Sequence, residues 1–416
     1  MNNQTRRVCK IGCYLFIPLI LILLIIFYPV NIIAQEEKAQ EGAREGLRLG
    51  PLKLKPALSV KKEHTDNFFQ EDSDEKDDYI TTVTPGLMLQ LPMGKHLFQV
   101  DYHADIIYLS EYDNYDTNEH FADTMLDLNF PGGLSVKFAN NYSSTSNPPT
   151  SDGDRRKKYY QNDSSAEVSY KSADRYKIDV KYGHTVKRME DEADETDTFD
   201  EDKADITFSY RILPKTSILL EYGFSHVDNE DKGGTSTDNN NQKVWLGVSW
   251  DPTAKLNGTI KGGYTTKDYE EAAFENRYDY GMLIDLSFNK SEYTSIKLAG
   301  FRRIVETAVT LAQSDYGPEY VSTGGSLSFN HKFTRKIGTV INVSYTYDDY
   351  LEEGTLGTPE GKKRKDELFS SGIALNFKIQ KWLGFDLEYK YNKKDSNFDT
   401  NDYKENKAMA KISIVF

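Results

Sequence analysis

Gln99, Asp101, His103 and Asp105 stand at every second position of one stretch, interleaved with Phe98, Val100, Tyr102, Ala104, Ile106 and Tyr108. A carboxylate–imidazole–carboxylate row could attract cations. A period of two puts the whole row on one face of a β-strand and the apolar set on the other. The same division recurs along the chain. Lys177, Asp179 and Lys181 oppose Tyr176, Ile178, Val180 and Tyr182; Asp285 and Ser287 oppose Ile284, Leu286 and Phe288; Asp386, Glu388 and Lys390 oppose Leu387, Tyr389 and Tyr391. Asp123, Asp127, Lys297 and Arg303 fall on the polar side of their stretches. The candidate inward-facing set is therefore Asp101, His103, Asp105, Asp127, Lys181, Asp285, Arg303, Asp386 and Glu388. Two readings of it stay open: a transverse field that sorts polar solutes, or wall ion pairs and solvated positions with no selectivity.

Other chemistry is weakly signalled. His64, His120 and His226 lie close to polar loops rich in Ser and Asp, but no spacing joins a nucleophile to a base, and no catalytic residue is expected. The acidic runs Glu71-Asp72-Ser73-Asp74-Glu75 and Glu190-Asp191-Glu192-Ala193-Asp194-Glu195 could hold divalent cations beside lipopolysaccharide, yet lack the spacing of a dedicated calcium loop. A solvated surface is the simpler account of them. No phosphate-binding glycine loop, zinc pattern or haem motif is present, so neither a cofactor nor a metal is expected. A formal net charge of −14 argues against nucleic acid as a partner.

The elements that would carry the alternating rows form a two-beat pattern. Tight turns centre on Pro92-Met93-Gly94, Pro131-Gly132-Gly133, Ser172-Ala173-Asp174, Pro214-Lys215, Pro252-Thr253, Lys290-Ser291, Thr334-Arg335 and Gln380-Lys381. Between them lie nine longer acidic or Asn-rich loops, the longest over 351–366. Seventeen connections predict about eighteen strands, with both termini on the short-turn side, which in outer-membrane barrels is the periplasm. No loop is long enough to suggest a single deep in-folded one. The lumen is therefore expected to be open, or closed by several loops or the amino-terminal arm together. The 28 tyrosines and 21 phenylalanines, with few long apolar runs, suit a wall in which every second residue faces lipid.

Arg6, Arg7 and Lys10 precede an apolar run from Tyr14 to Ile33, after which Ala34 and Gln35 open a charged segment. Residues 1–34 read as a secretory signal peptide, 35–50 as a short periplasmic arm, and 51–416 as a transmembrane, antiparallel, up-and-down β-barrel. Cys9 and Cys13 lie before the apolar run, so the mature chain would hold no disulfide.

The last stretch alternates again: Ala408, Ala410, Ile412, Ile414 and Phe416 against Lys407, Met409, Lys411 and Ser413. A terminal strand of this kind must pair with the first to leave no edge in lipid. Ending on Phe416, it resembles the aromatic carboxy-terminal signal by which the barrel-assembly machinery recognises outer-membrane barrels. The run Thr65-Asp66-Asn67-Phe68, with Asp78-Tyr79-Ile80 and Pro85-Gly86 downstream, resembles a family of Gram-negative outer-membrane β-barrel porins (type 2), sharply over 56–108 and in architecture beyond. That resemblance implies a channel, and some members are associated with exopolysaccharide synthesis and secretion. It therefore implies polysaccharide export, with polysaccharide-export proteins as partners beside membrane lipid and lipopolysaccharide. A diffusion porin for small polar solutes, or a surface-interaction barrel, is the alternative. Asp66 and Asn67 are expected to be turn residues bonding nearby backbone.

Overall fold

A computed structural model describes residues 46–147, 157–191, 197–230, 236–251, 255–272, 274–306, 319–353, 362–398 and 401–416. A short β1 (Leu47–Leu49) folds back on the first long strand, β2 (Leu52–Thr65). There follow β3 (Asp78–Met93), β4 (His96–Leu109), β5 (Thr117–Asn129), β6 (Leu134–Asn147), β7 (Lys157–Ser172), β8 (Tyr176–Met189), β9 (Phe199–Leu213) and β10 (Thr216–Asn229). The second half holds β11 (Asn239–Trp250), β12 (Leu256–Tyr269), β13 (Arg277–Asn289), β14 (Thr294–Glu306), β15 (Glu319–Lys332), β16 (Ile337–Glu353), β17 (Lys363–Lys378), β18 (Leu383–Ser396) and β19 (Tyr403–Val415). From β2 on, each strand pairs antiparallel with the next, and β19 pairs with β2 from Lys407↔Thr65 to Val415↔Ala57. The result is the predicted up-and-down barrel: a closed wall of eighteen strands.

Local chemistry explains the hairpins. At the β7–β8 turn Ala173 and Asp174 take φ of 49° and 55°, the left-handed pair whose twist matches that of the flanking strands. At the β5–β6 turn Gly133 has φ of 88° and lies against the carbonyl of Lys171, where a Cβ would sit 2.1 Å from that oxygen; only glycine fits. Seven of the eight predicted short turns fall at such hairpins; Pro252-Thr253 lies outside the described residues.

The wall strands β2 to β19 run from 12 residues in β11 to 17 in β16, where about ten cross a bilayer. They therefore rise past the membrane on the loop side, and the loops are shorter than sequence alone suggests. The lipid face is marked by exposed rings. On β8 Tyr176 and Tyr182 bound the apolar band, and on β13 Tyr280 and Phe288 do. That is about 20–27 Å of strand, which after tilt matches an apolar band of about 25 Å or less.

The upper ring of tyrosines has a repeated anchor. Tyr102, Tyr182, Tyr222 and Tyr389 lie on ascending strands, opposite Ala122, Ala204, Val244 and Ala408. The Tyr182 hydroxyl donates to Asp202 (2.5 Å), that of Tyr222 to Gln242 (3.3 Å) and that of Tyr389 to Asn406 (2.6 Å); Tyr102 shares a hydrogen bond with His120 (3.0 Å). Each partner lies two residues nearer the loops than the residue opposite the tyrosine. The ring keeps its body on the apolar wall and its hydroxyl in a polar layer, as a residue at a membrane–water boundary must.

Candidate functional site: the lumen and its mouth

Inward positions follow by parity from the exposed apolar ones. Asp101, His103 and Asp105 all point inward from β4. Asp101 meets Asp123 of β5 directly across the pair, and neither has a hydrogen-bond or ion-pair partner among the described residues. The His103 ring stacks on Phe121 at 4.7 Å. Asp105 accepts from the Thr84 hydroxyl (2.6 Å). Asp127 lies nearer the short-turn end and accepts from Asn129 Nδ2 (2.9 Å). Lys181 stands between Glu167 and Asp205 in register. Asp285 and Glu388 face the lumen without partners among the described residues, whereas Asp386 accepts from Asn376 Nδ2 (2.7 Å). Arg303 lies over the Phe301 ring at 5.1 Å. These nine are spread around the wall and do not converge on one centre. Outside the lumen, His120 is already engaged with Tyr102, while His64 lies 3.5 Å from Asp77 and His226 3.1 Å from Asn240, all at the loop ends of their strands.

Sequence alternation did not single out the densest part of the wall, on β9 to β13. Lys243 bridges Asp205 (2.8 Å) and Glu221 (3.0 Å), and Lys261 takes the other oxygen of Glu221 (2.6 Å). Trp245, one inward position below Lys243, lies across the wall rather than standing out from it. A Cβ on Gly281 would sit 2.5 Å from its Cζ2, and one on Gly263, directly opposite Trp245, would strike the backbone of β11. Gly281 thus makes the bed for an indole whose N–H donates to Thr265 (3.3 Å), while Gly263 lets the two backbones approach closely. Glycines inside strands at 263 and 281 were the available signal.

One part of the wall leaves the ring. β13 pairs with β14 only as far as Met282↔Arg302, while the β14–β15 pairing continues to Glu306↔Glu319. Arg302 fills the fork, with Nη2 on Asp279 (2.8 Å), Nη1 on Thr323 (3.0 Å) and its guanidinium 4.2 Å over the Tyr280 ring. Above the fork the hairpin leans inward across two strands: Glu306 accepts from Asn239 of β11 (2.8 Å) and from Lys267 of β12. β14 and β11 are three strand spacings apart, about 14 Å along the wall, so only a hairpin lying over the lumen face can make these bonds. Glu319 is fully buried there, accepting from Tyr269 Oη (2.9 Å) and Arg277 Nε (2.6 Å). Burial, then the charge of Glu319, pushes the Tyr269 hydroxyl up. At this hairpin paired strand continued above the membrane reaches inward, which a loop-length count does not register.

The motif Thr65-Asp66-Asn67 also does more than turn the chain. Asp66 accepts from the backbone N–H (2.7 Å) and Nδ2 (2.6 Å) of Asn406, Thr65 donates to Glu405 (2.9 Å), and Asn67 Nδ2 donates to the Lys404 carbonyl (3.0 Å). It ties the first wall strand to the last at the loop end. At the other end the Phe416 N–H donates to the Pro56 carbonyl (3.1 Å). The seam is held at both limits.

The family model described as putative beta-barrel porin 2 matches residues 42–416. No curated protein matches. Among solved structures, one titled a bacterial polysaccharide outer membrane secretin is 8% identical with a TM-score of 0.40, over 87% of this chain and 98% of that one. Pseudomonas aeruginosa OpdK with vanillate is 10% identical with a TM-score of 0.48, over 87% and 99%. The siderophore receptor PirA of the same organism is 8% identical with a TM-score of 0.45, over 87% and 80%. At such identities the likeness is one of fold.

Proposed function

The chain belongs to the putative beta-barrel porin 2 family, and from that premise we propose that its lumen is the exit path of a polysaccharide across the bacterial outer membrane. A wall of eighteen strands encloses an aqueous lumen rather than a packed core, and membership of the porin family supports an outer-membrane channel. The polymer rests on one observation above all, the character of the wall on β9 to β13. Its charges are compensated pair by pair (Lys243 with Asp205 and Glu221, Lys203 with Glu201, and Asp279 with Arg302 of the neighbouring β14) and they frame the Trp245 ring. Compensated hydrogen-bonding groups beside a ring suit a hydrated sugar chain, which must be touched at many places and held firmly at none.

Residues 1–34, outside the described region, serve in this reading as the leader to the periplasm. Phe416 serves as the signal for the barrel-assembly machinery, and polysaccharide-export proteins deliver the polymer to the short-turn side. The outward face meets membrane lipid and lipopolysaccharide. Passage of small solutes is the second reading. It is favoured by Asp101 and Asp123, two uncompensated carboxylates opposite each other, which would draw cations.

The test is cell-surface and secreted polysaccharide in a strain lacking the gene, beside the same strain with it restored. Loss of one polymer, recovered on restoration, is expected. Normal polymer in the deletion strain would refute export and leave solute passage, which conductance of the purified protein in planar bilayers then tests.

A further inference from the structure

Between the leaning β14 edge and the lumen wall of β9 to β13 is a cavity of about 740 Å³. Trp245 lies on its wall, and Arg302 to Glu306 form its opposite side. The indole lies in the plane of the wall because Gly281 leaves room beneath it. The ammonium groups of Lys243, one inward position above, and Lys261, one position below on the next strand, stand 5.7 and 5.4 Å from its centre.

The charges around this space sort into those already satisfied and one that is not. Glu201 has Lys203, Asp279 has Arg302, Glu306 has Lys267 and Asn239, and Lys243 has two carboxylates. Arg303 lines the same cavity and is exposed; it lies over the Phe301 ring with Tyr320 nearby, and has no carboxylate partner among the described residues. An unpaired guanidinium offers a planar fork of donors that matches a carboxylate. A flat indole offers a face to the C–H side of a pyranose ring, and its neighbouring amines and carboxylates offer partners to the hydroxyls.

We propose that this cavity is a saccharide subsite for a uronic-acid unit, the pyranose ring lying on Trp245 and its carboxylate taken by Arg303. The inference deepens the export reading by naming the class of sugar, and rests on it only for the direction of travel. The volume falls within the range of small-molecule sites, about 300–1,000 Å³, room for a short run of sugar units. Above the cavity, the Glu306 and Glu319 bonds hold the hairpin that carries Arg303 in place.

The experiment is current blockade of single channels by tri-galacturonate, with maltotriose as the neutral probe, in the wild type, Trp245→Ala, Trp245→Phe, Arg303→Gln and Arg303→Lys. Trp245→Ala should shorten the blockades by both sugars about tenfold, and Trp245→Phe far less. Arg303→Gln should shorten only those of tri-galacturonate, again about tenfold, with Arg303→Lys between. Conducting channels that neither sugar blocks, or blockades unchanged in every variant, would overturn the subsite and leave the channel standing. A silent bilayer would count against the channel itself. The subsite is then decided by tryptophan fluorescence of the purified protein titrated with tri-galacturonate: quenching lost in Trp245→Phe supports it, and no Trp245-dependent change overturns it. Heat-dependent migration on gels confirms that each variant is folded.

Discussion

Replacing Asn67 by alanine should weaken the whole barrel from one point at its seam. The side chain is fully buried and makes three hydrogen bonds: Nδ2 to the Glu71 carbonyl (2.7 Å), Nδ2 to the Lys404 carbonyl (3.0 Å), and Oδ1 from the Glu71 N–H (3.0 Å). Each such bond contributes about 1 kcal/mol net, and a buried group left without its partner costs about 1–3 kcal/mol. Three bonds lost together at a fully buried site come to about 3–5 kcal/mol. In equilibrium terms 3 kcal/mol is roughly a hundredfold. The control is Asn140→Ala, whose amide bonds Asn162 (2.9 Å) and Ser164 (2.9 Å) on a half-buried stretch of ordinary wall; it should cost about 1 kcal/mol. Urea unfolding in phospholipid vesicles, followed by tryptophan fluorescence and by heat-dependent gel migration, measures both. If Asn67→Ala lies within about 0.5 kcal/mol of the control, the seam is no more critical than any other strand pair, and the latch is refuted.

Glu319→Ala leaves Arg277 and Tyr269 without their buried partner, so a loss of about 3 kcal/mol is expected; it should also release the hairpin and raise single-channel conductance, while Glu319→Gln changes both less. Burial pushes the Asp348 carboxyl above the ordinary carboxylate range, the nearby Asp366 charge adding to it against an opposing Ser322 bond, and its Oδ1 has no hydrogen-bond partner in the described structure. Its folded-state pKa lies above the unfolded value of about 3.9, so the stability lent by the protonated form is present at acid pH and lost as pH rises through the raised value. Asp348→Asn should therefore raise the melting temperature at pH 7, with the gain vanishing by about pH 3; equal gains at both would dismiss the assignment. Replacing Asp101 and Asp105 together by asparagine should shift any cation preference, read as the reversal potential across a salt gradient; an unchanged potential removes them from selectivity.

The strand count, the barrel and most of the hairpins were legible in the amino-acid order. Each depends on a local rule: a period of two, turn chemistry at Gly133 or Asp174, and the spacing of apolar faces. Once every strand pairs with its neighbour, parity propagates around the ring without further information. What the order of residues left open depends on pairs far apart in the chain. Asp66 and Asn406 are 340 residues apart, and nothing local separates an Asx turn from a seam latch, because the same short side chain serves both. Lys243 and Lys261 could be assigned to the lumen by alternation, but not to a shared Glu221, since that depends on the stagger between strands. The leaning hairpin was least visible. Its cause is the end of one ladder at Arg302 while the next continues to Glu306, a difference between two pairings rather than a property of either strand. Sequence alone determined the wall. Only the tertiary structure decided where the wall departs from its own symmetry, because that choice is made by bonds across the barrel, between Glu306 and Asn239 and between Glu319 and Arg277.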